Sequence, residues 1–272
     1  MGHEMKKEEK LECLKENLLK LGSVAVAFSA GVDSSFLLKV AHDVLGDKCI
    51  AITGQAPFFS GWEQKEAIDF CKREGIKQLI VESTQLSDEK FTSNPSDRCY
   101  HCKKSLFQKM KDSALSEGIS VLVEGSNLDD LGDYRPGLKA IEELGILSPL
   151  RDAGLTKQEI RELSKEMGLL TFDKPSFACL ASRVPYGEEI TPEKLKQIEK
   201  AEVFLMDLGF RNLRVRHHGT LARIEVPKSD MERVMKENVR EEIVDGLKKI
   251  GFLYVTLDMQ GYRMGSLNEV LS

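Results

Sequence analysis

The sequence has no apolar run approaching the roughly 20 residues that a membrane-spanning helix needs, which argues against an integral helical membrane protein. Its first ten residues, MGHEMKKEEK, lack the apolar core of a signal peptide, so we expect a cytoplasmic protein with no membrane partner. Positive charge is not in excess either, and the net charge of −5 argues against a chain that simply coats nucleic acid. With 41% hydrophobic and 31% charged residues, the 272-residue chain has an ordinary globular composition and the length of about two domains.

Short apolar segments alternate with helical periods over the first half of the chain. Buried strands are predicted at residues 23–29, 49–53, 78–81 and 121–124. A polar stretch, residues 84–98, is predicted to be a loop. This alternation predicts an α/β fold with a doubly wound, mostly parallel sheet. Ligands of such sheets bind beyond the carboxyl ends of the strands, so the loops that follow the four strands should border one site.

The pattern changes after Lys174-Pro175. Thr191 and Pro192 are typical of a helix start. Residues 213–217 and 221–226 alternate apolar and polar side chains, which predicts a hairpin, and two helical stretches and a last strand follow. We therefore expect a first domain over residues 1–174 and a smaller α+β domain over residues 175–272.

The segment from Ser29 to Ser35, SAGVDSS, joins the first predicted strand to a helix. Its small residues let backbone N–H groups approach an anion, and the helix N-terminus adds partial positive charge. The hydroxyl groups of Ser29, Ser34 and Ser35 can donate further hydrogen bonds. No lysine follows the glycine, so this is not the GK[ST] loop of ATPases. The alternative is a tight connection in which Asp33 or Ser34 merely caps the helix.

A second loop, EGSNLDD at residues 124–130, follows the fourth predicted strand. Gly125 would permit close approach of a ligand there. Asp129 and Asp130 could hold a magnesium ion or position a substrate. The alternative is a helix N-terminus with two capping carboxylates.

Three of the six cysteines lie in apolar, periodic contexts. These are Cys13, Cys49 and Cys71, and we interpret them as buried small hydrophobic residues. A cytoplasmic chain of this length does not need disulfide bonds for stability.

The other three cysteines lie among polar and basic residues. Cys99 and Cys102 form a CxxC motif at a predicted helix start, and Cys179 lies in the segment KPSFACLASR. Nearby cations favour thiolate, which suits nucleophilic attack or metal binding. Three thiolates can hold a [4Fe–4S] cluster with one iron left open. A zinc site that includes His101 is the competing interpretation, and a single CxxC is a weak signal.

The predicted hairpin carries alternating charged residues. Strand alternation places four of them on one face, namely Arg214, Arg216, Arg223 and Glu225. That face could bind a substrate phosphate through bidentate arginine geometry. The alternative is a solvated sheet face with cross-strand ion pairs. His217 and His218, near the turn, are expected at the surface.

Five segments occur in the order and at the spacing of the LarE family of the PP-loop ATP pyrophosphatase superfamily. They are SAGVDS, RCYHCK, EGSNLDDLGDYRPG, KPSFACLASR and VRHHGTLARIEV. The resemblance covers nearly the whole chain and implies the PP-loop, or adenine nucleotide alpha hydrolase-like, fold. It also implies ATP-dependent sulfur transfer to pyridinium-3,5-biscarboxylic acid mononucleotide, the precursor of the nickel-pincer cofactor. In that reaction ATP adenylates a substrate carboxylate, pyrophosphate leaves, and a sulfur nucleophile displaces AMP to give a thiocarboxylate.

The resemblance implies roles for particular residues. ATP with Mg²⁺ would be bound by Ser29, Gly31, Asp33, Ser34, Ser35, Gly125 and Asp129. The substrate would be bound by Ser182, Arg183, Glu202, Arg214 and Glu225. The family forms hexamers, so a homo-oligomer is expected.

The family has two ways of supplying sulfur. One subgroup sacrifices a cysteine at the position of Cys179 and converts it to dehydroalanine. A second subgroup has three cysteines and delivers sulfide through a [4Fe–4S] cluster. Cys99, Cys102 and Cys179 match the second subgroup and would be its catalytic cluster ligands, with sulfide or another sulfur donor as the partner.

Three other interpretations remain open. A PP-loop tRNA thiolase would also combine this loop with cysteines, but the net charge of −5 and the lack of a basic, aromatic-interleaved arm argue against it. An amidating ligase of the NAD synthetase type would leave the three cysteines without a role. A nucleotide-binding or assembly module would have no catalytic activity at all.

Overall fold

The computed structural model describes residues 5–132, 136–175, 178–263 and 265–271. The chain divides into two compact units. The first unit comprises Met1–Ala56, Gly61–Thr84 and Cys99–Phe177. The second comprises Pro57–Ser60, Gln85–Arg98 and Ala178–Ser272. The second unit therefore includes two segments from the first half of the chain, which the periodicity alone does not assign to it.

The first unit is built on a parallel sheet of four strands in the order β3-β2-β1-β4. The strands are β1 (Val24–Ala27), β2 (Cys49–Gln55), β3 (Gln78–Glu82) and β4 (Leu122–Val123). Strand β1 reads VAVA and its first three residues are buried, as expected for a central strand that is covered on both faces. The predicted α/β fold with a doubly wound, mostly parallel sheet is confirmed.

Helices occupy much of the remaining described chain. In chain order they are α1 (Lys7–Leu21), α2 (Val32–Leu45), α3 (Gly61–Glu74), α4 (Glu89–Thr92), α5 (Arg98–Ser116), α6 (Pro136–Glu143), α7 (Pro149–Asp152), α8 (Lys157–Glu166), α9 (Pro192–Asp207), α10 (Lys228–Met235) and α11 (Glu237–Ile250). Within the described residues, no helix is long and apolar enough to cross a membrane.

The core of the first unit lies where the helices cover the sheet. Apolar side chains of α1, α2, α3, α7 and α8 pack there with those of β1. Cys49 and Cys71 are buried in this core, and desolvation raises the pKa of each thiol to about 12. Both thiols are therefore protonated at neutral pH and act as small hydrophobic groups, as predicted. Cys13 is half-buried at the edge of the same core.

The second unit contains a three-stranded sheet in the order β5-β6-β7. Strands β5 (Arg214–His218) and β6 (Leu221–Glu225) form the predicted antiparallel hairpin, and β7 (Tyr254–Leu257) pairs with β6 in parallel. Helix α9 begins as predicted, because the Thr191 side chain accepts a hydrogen bond from the backbone of Lys194. A separate apolar core joins α9, α10 and α11 to this sheet. The predicted smaller α+β architecture is confirmed.

The stretch predicted as a loop at residues 84–98 is more ordered than expected. It contains a 3-10 turn at Gln85–Ser87 and the short helix α4. Asn94 is fully buried with φ of +55°, and its side-chain amide donates to the carbonyls of Val184 (3.2 Å) and Pro185 (2.6 Å). The polar side chain of Asn94 is thus satisfied inside the second unit, so its polarity does not indicate solvent exposure, whereas residues 87–90 are exposed as expected of a loop.

Candidate functional site

The connection from β1 to α2 forms a tight turn at the carboxyl end of the central strand. Ala30 adopts a left-handed conformation with φ of +54°, which a residue with a side chain adopts only at a cost. Gly31 is the N-cap of α2, and the Ser34 hydroxyl lies inside the turn, where it accepts a hydrogen bond from the backbone N–H of Ser29 (3.3 Å). The turn therefore presents the first N–H groups of a 14-residue helix at the sheet edge.

Among the described residues no side chain caps the start of α2, so neither Asp33 nor Ser34 has the capping role of the alternative interpretation. The Asp33 carboxylate instead pairs with Lys157 and accepts a hydrogen bond from the Asn127 amide (3.2 Å). The Ser35 hydroxyl is buried and has no hydrogen-bond partner within the part of the chain that the structure describes. An uncapped helix N-terminus with a spare buried hydroxyl has the donor groups that an anion needs.

Gly125, in the loop after β4, lies directly against this helix start. A Cβ atom added there would stand 3.0 Å from the backbone nitrogen of Ser34 and 3.3 Å from Ser34 Cα. Both neighbours are backbone atoms, which cannot move aside as the end of a long side chain can. The absence of a side chain at Gly125 therefore lets the loop after β4 pack directly against the start of α2, and the loops after β1 and β4 meet as predicted.

The acidic residues of the same loop bind backbone groups. The Asp129 carboxylate accepts a hydrogen bond from the N–H of Lys157 at the start of α8 (2.8 Å). The Asp130 carboxylate accepts from the N–H of Asn127 (2.9 Å). Glu124 is buried and accepts hydrogen bonds from two serine hydroxyls. This is the bonding pattern of the capping alternative, and it fixes the loop beside the helix start.

Two lysines that the sequence patterns do not reveal lie at this site. Lys157 pairs with Asp33 across 124 positions of sequence. Lys174 donates to the Ala30 carbonyl (2.9 Å), pairs with Glu66, and has its ammonium 5.0 Å from the ring centre of Trp62. Lys174 begins the KPSFACLASR segment, but no local pattern assigns either lysine to the turn, because only the fold brings them there. They supply the positive charge that the loop itself lacks.

The hairpin of the second unit has the predicted register. Arg214 lies opposite Glu225 and Arg216 opposite Arg223, so the four charged residues share one face. The alternative is wrong about solvation, because Glu225 is fully buried and Arg214 and Arg216 are almost so, but the cross-strand ion pairing that it included is present. Glu225 pairs with Arg216 (2.8 Å) and with Arg223 (3.1 Å), and the carboxylate neutralises charge inside the protein.

A second buried ion pair adjoins the hairpin. Arg183, 1% exposed, binds both carboxylate oxygens of Glu202 at 2.9 Å, and Glu202 also accepts from the N–H of Val215 (3.0 Å). The Arg183 guanidinium also donates to the hydroxyl of Ser182 (3.1 Å). Burial, and next to it the charge of Arg183, lowers the pKa of Arg214 to about 10.

The structure thus gathers all five predicted substrate-binding residues in the second unit. Arg216 joins the two ion pairs, because it donates to the Ser182 carbonyl (2.9 Å) and pairs with Glu225. Arg216 stands on the charged face of the predicted hairpin, but sequence reasoning does not include it among the substrate-binding residues.

His217 is buried, so its predicted surface position is wrong. Its ring nitrogen lies 3.1 Å from the side-chain oxygen of Gln197, and its ring packs 5.5 Å from that of Phe252. Burial, then the charge of Lys194, lowers the pKa of His217 below its ordinary value. His218 is half-buried.

Cys99, Cys102 and Cys179 lie outside the two apolar cores. Cys99, which is exposed, and Cys102, which is half-buried, lie three residues apart at the start of α5 in the first unit, and this spacing places them on one helix face. Cys179 is half-buried in the second unit, immediately before a 3-10 turn at Leu180–Arg183. Within the described ranges, no three His, Cys, Asp or Glu side chains form a group that could hold a metal ion. Residues 133–135 and 176–177, which belong to two of the motifs, lie outside those ranges.

Comparison with known proteins extends this description, although no family model matches the chain. An uncharacterised protein of Synechocystis sp. is 42% identical over 97% of this chain and 99% of its own length. The pyridinium-3,5-bisthiocarboxylic acid mononucleotide synthase of Lactiplantibacillus plantarum is 36% identical over 94% of this chain and 92% of its own length. One component of the glutamine-hydrolysing GMP synthase of Thermoplasma volcanium is 28% identical over 64% of this chain and 60% of its own length.

Proposed function

The chain belongs to the LarE family, that of pyridinium-3,5-bisthiocarboxylic acid mononucleotide synthase, and on this premise we propose that it is an ATP-dependent sulfurtransferase. A carboxylate oxygen of pyridinium-3,5-biscarboxylic acid mononucleotide attacks the α-phosphorus of ATP, and the bond to the β-phosphate breaks with loss of pyrophosphate. A sulfur nucleophile then attacks the acyl carbon. The bond to AMP breaks, and a thiocarboxylate of the nickel-pincer precursor results.

The observation that carries the ATP part of the proposal is the open helix start of α2. Among the described residues, no side chain caps its N–H groups, and Gly125 places no side chain beside the N–H of Ser34. Lys157 and Lys174 add positive charge at the same turn. This combination suits the phosphates of ATP better than a neutral ligand.

Mg²⁺ would neutralise phosphate charge when bound with ATP. The residues present fit such an ion, because the Asp33 carboxylate is half-buried and its oxygens bond to side chains rather than to the backbone. Side-chain partners can reorient, whereas the backbone partners of Asp129 and Asp130 cannot. Asp33 is therefore the carboxylate of this site that we propose as a metal contact.

The second-unit network is proposed as the binding site of the substrate's anionic groups. Arg214 is suited to this role, since its guanidinium lies over the ring of Tyr262 (4.9 Å) and donates to the hydroxyl of the same tyrosine (3.3 Å), a neutral partner that an anion can replace. Arg183 already binds both oxygens of Glu202, and its contribution is to fix Ser182 and Glu202. Glu225 likewise accepts from Arg216, Arg223 and Ser266, and its contribution is to hold the arginines in place. Ser182 and Arg214 then remain to contact the substrate's anionic groups.

We propose Cys99, Cys102 and Cys179 as ligands of a [4Fe–4S] cluster. The support is their chemistry: cysteine thiolates are the usual ligands of iron–sulfur clusters, and none of the three side chains is buried. A cluster would supply sulfide without consuming the protein. The alternative for Cys179 is sacrifice as the sulfur donor. The cytoplasmic location and the homo-oligomeric state of the protein remain predictions from the sequence.

The proposal is tested by pyrophosphate release. With ATP and Mg²⁺, we expect release that depends on the pyridinium mononucleotide and is not replaced by tRNA or ammonia. Stimulation by tRNA would indicate a thiolase, and stimulation by ammonia an amidating ligase. Absence of any substrate-dependent release would favour a nucleotide-binding module. Iron, acid-labile sulfide and zinc, measured on anaerobically purified protein, test the cluster separately.

A further inference from the structure

Three arginines of the second unit hold the backbone of the turn that follows Cys179. We call residues 179–185 the Cys179 turn. The arginine-to-carbonyl hydrogen bonds run from Arg183 to Cys179 (3.1 Å), from Arg98 to Ala181 (3.0 Å) and from Arg216 to Ser182 (2.9 Å). Arg183 and Arg216 also belong to the ion pairs of the substrate network. Arg98 belongs to neither of these two ion pairs, so its position needs a separate explanation.

Arg98 is buried, with 4% of its surface exposed. Besides the Ala181 carbonyl, its guanidinium binds the side-chain oxygen of Asn94 and lies 5.8 Å from the ring centre of Tyr186. Burying a guanidinium is costly, so its hydrogen bonds must offset the loss of water. A planar guanidinium reaches several partners at once, which a lysine ammonium does not do with the same geometry.

Asn94 holds the other end of the Cys179 turn through hydrogen bonds. Its side-chain amide donates to the backbone carbonyls of Val184 and Pro185. Its backbone carbonyl accepts a hydrogen bond from the N–H of Gly187. Its left-handed φ of +55° is a further cost that the surrounding hydrogen bonds must outweigh. Arg98 and Asn94 together therefore fix the Cys179 turn at Ala181 and at Val184–Pro185.

We propose that Arg98 is a positioning residue for sulfur transfer, which it serves by holding the Cys179 turn in one conformation. The role in sulfur transfer rests on the proposed function, whereas the contacts between Arg98 and the Cys179 turn do not depend on it. Arg98 is also the first residue of α5 and directly precedes Cys99 in the chain.

Hydrogen exchange tests the geometry without any assay of activity. The N–H groups of Ser182 and Val184 donate within the turn, to Cys179 (2.9 Å) and Ala181 (3.2 Å). In Arg98→Met we expect these amides to exchange about tenfold faster, because a hydrogen bond to a charged group is lost, while amides of β1 are unchanged. In Arg98→Lys we expect an intermediate rate. Unchanged protection of the turn in Arg98→Met would overturn the proposal.

A matched control is Arg233→Met. Arg233 also donates to turn carbonyls in the second unit, those of Leu208 and Gly209, and lies over the Phe210 ring (4.4 Å). Its loss should leave exchange of the Cys179 turn unchanged. Equal acceleration in both variants would show general loosening of the unit and would contradict a specific role for Arg98.

Kinetics separate positioning from mere stability. In Arg98→Met, with the pyridinium mononucleotide at saturating concentration, we expect substrate-dependent pyrophosphate release within about twofold of the unaltered protein. Thiocarboxylate formation should fall about tenfold, with partial rescue in Arg98→Lys. An equal fall in both steps would contradict positioning of the sulfur-transfer step. If the unaltered protein releases no substrate-dependent pyrophosphate, the proposed function fails, whereas hydrogen exchange still decides whether Arg98 fixes the turn.

Discussion

Replacing Gly125 by alanine tests the anion site at the start of α2 with a single methyl group. The new Cβ would lie 3.0 Å from the nitrogen of Ser34 and 3.3 Å from Cα of the same residue, closer than side chains normally approach. The loop cannot retreat freely, since the neighbouring Ser126 and Glu124 are buried and hydrogen-bonded to each other. We therefore expect the methyl group to displace the backbone around Ser34, whose N–H we propose as a phosphate contact.

The expected magnitude follows from the hydrogen bond that is lost. A bond from a backbone N–H to a charged group is worth about 1.5–3 kcal/mol. Excluding the phosphate from the Ser34 N–H should weaken ATP binding roughly ten- to hundredfold. Folding should be affected less, because a small backbone shift of the half-buried glycine relieves part of the overlap.

Calorimetric titration with ATP and Mg²⁺ measures this change, and Gly246→Ala is the matched control. A Cβ at Gly246 would run into the Phe204 ring, in the second unit. We expect that control to lose about 1–3 kcal/mol of unfolding free energy by overpacking, despite the better helix propensity of alanine. Its affinity for ATP should not change. If Gly125→Ala binds ATP as tightly as the unaltered protein, the phosphate does not occupy the space before Ser34, and the assignment of this loop is wrong.

Three further predictions concern burial. Glu225→Ala should lower the free energy of unfolding in urea by about 3 kcal/mol, because it leaves buried guanidinium charge without its carboxylate; a loss near zero would contradict the buried network. Since burial lowers the pKa of His217, stability should be complete above about pH 6.5 and fall as the pH drops below it, and His217→Gln should flatten that dependence in thermal melts. In protein stripped of iron with a chelator, iodoacetamide at pH 8 should label the exposed Cys99 before Cys49 or Cys71, as peptide mass spectrometry will show; equal labelling would refute the burial of Cys49 and Cys71.

Local periodicity is sufficient to predict the sheet and much of the site. The apolar run at β1 identifies a central parallel strand, because covered strands have no polar face. Strict alternation in the hairpin fixes which charged side chains share a face, and the register confirms it. The loops after β1 and β4 converge because parallel strands end at the same sheet edge.

Other features depend on contacts between distant parts of the chain. Alternation does not tell whether solvent or protein covers a charged face, so the burial of Glu225 is not predictable from it. Lys157 and Lys174 reach the phosphate turn only through the fold. The polar segment 85–98 belongs to the second unit, where Asn94 and Arg98 donate hydrogen bonds to backbone carbonyls. From sequence alone, polar residues with such internal partners cannot be distinguished from those of an exposed loop.

The most direct test of the central claim is the amount of thiocarboxylate formed per protein chain, with the intact mass of the same protein measured after the reaction. With ATP, Mg²⁺, the pyridinium mononucleotide and sulfide, we predict more than one product per chain and an unaltered Cys179. One product per chain, with Cys179 converted to dehydroalanine, would support the sulfurtransferase activity and refute sulfide delivery by a cluster. No thiocarboxylate at all, with all four reactants present, would contradict the proposed sulfur transfer itself.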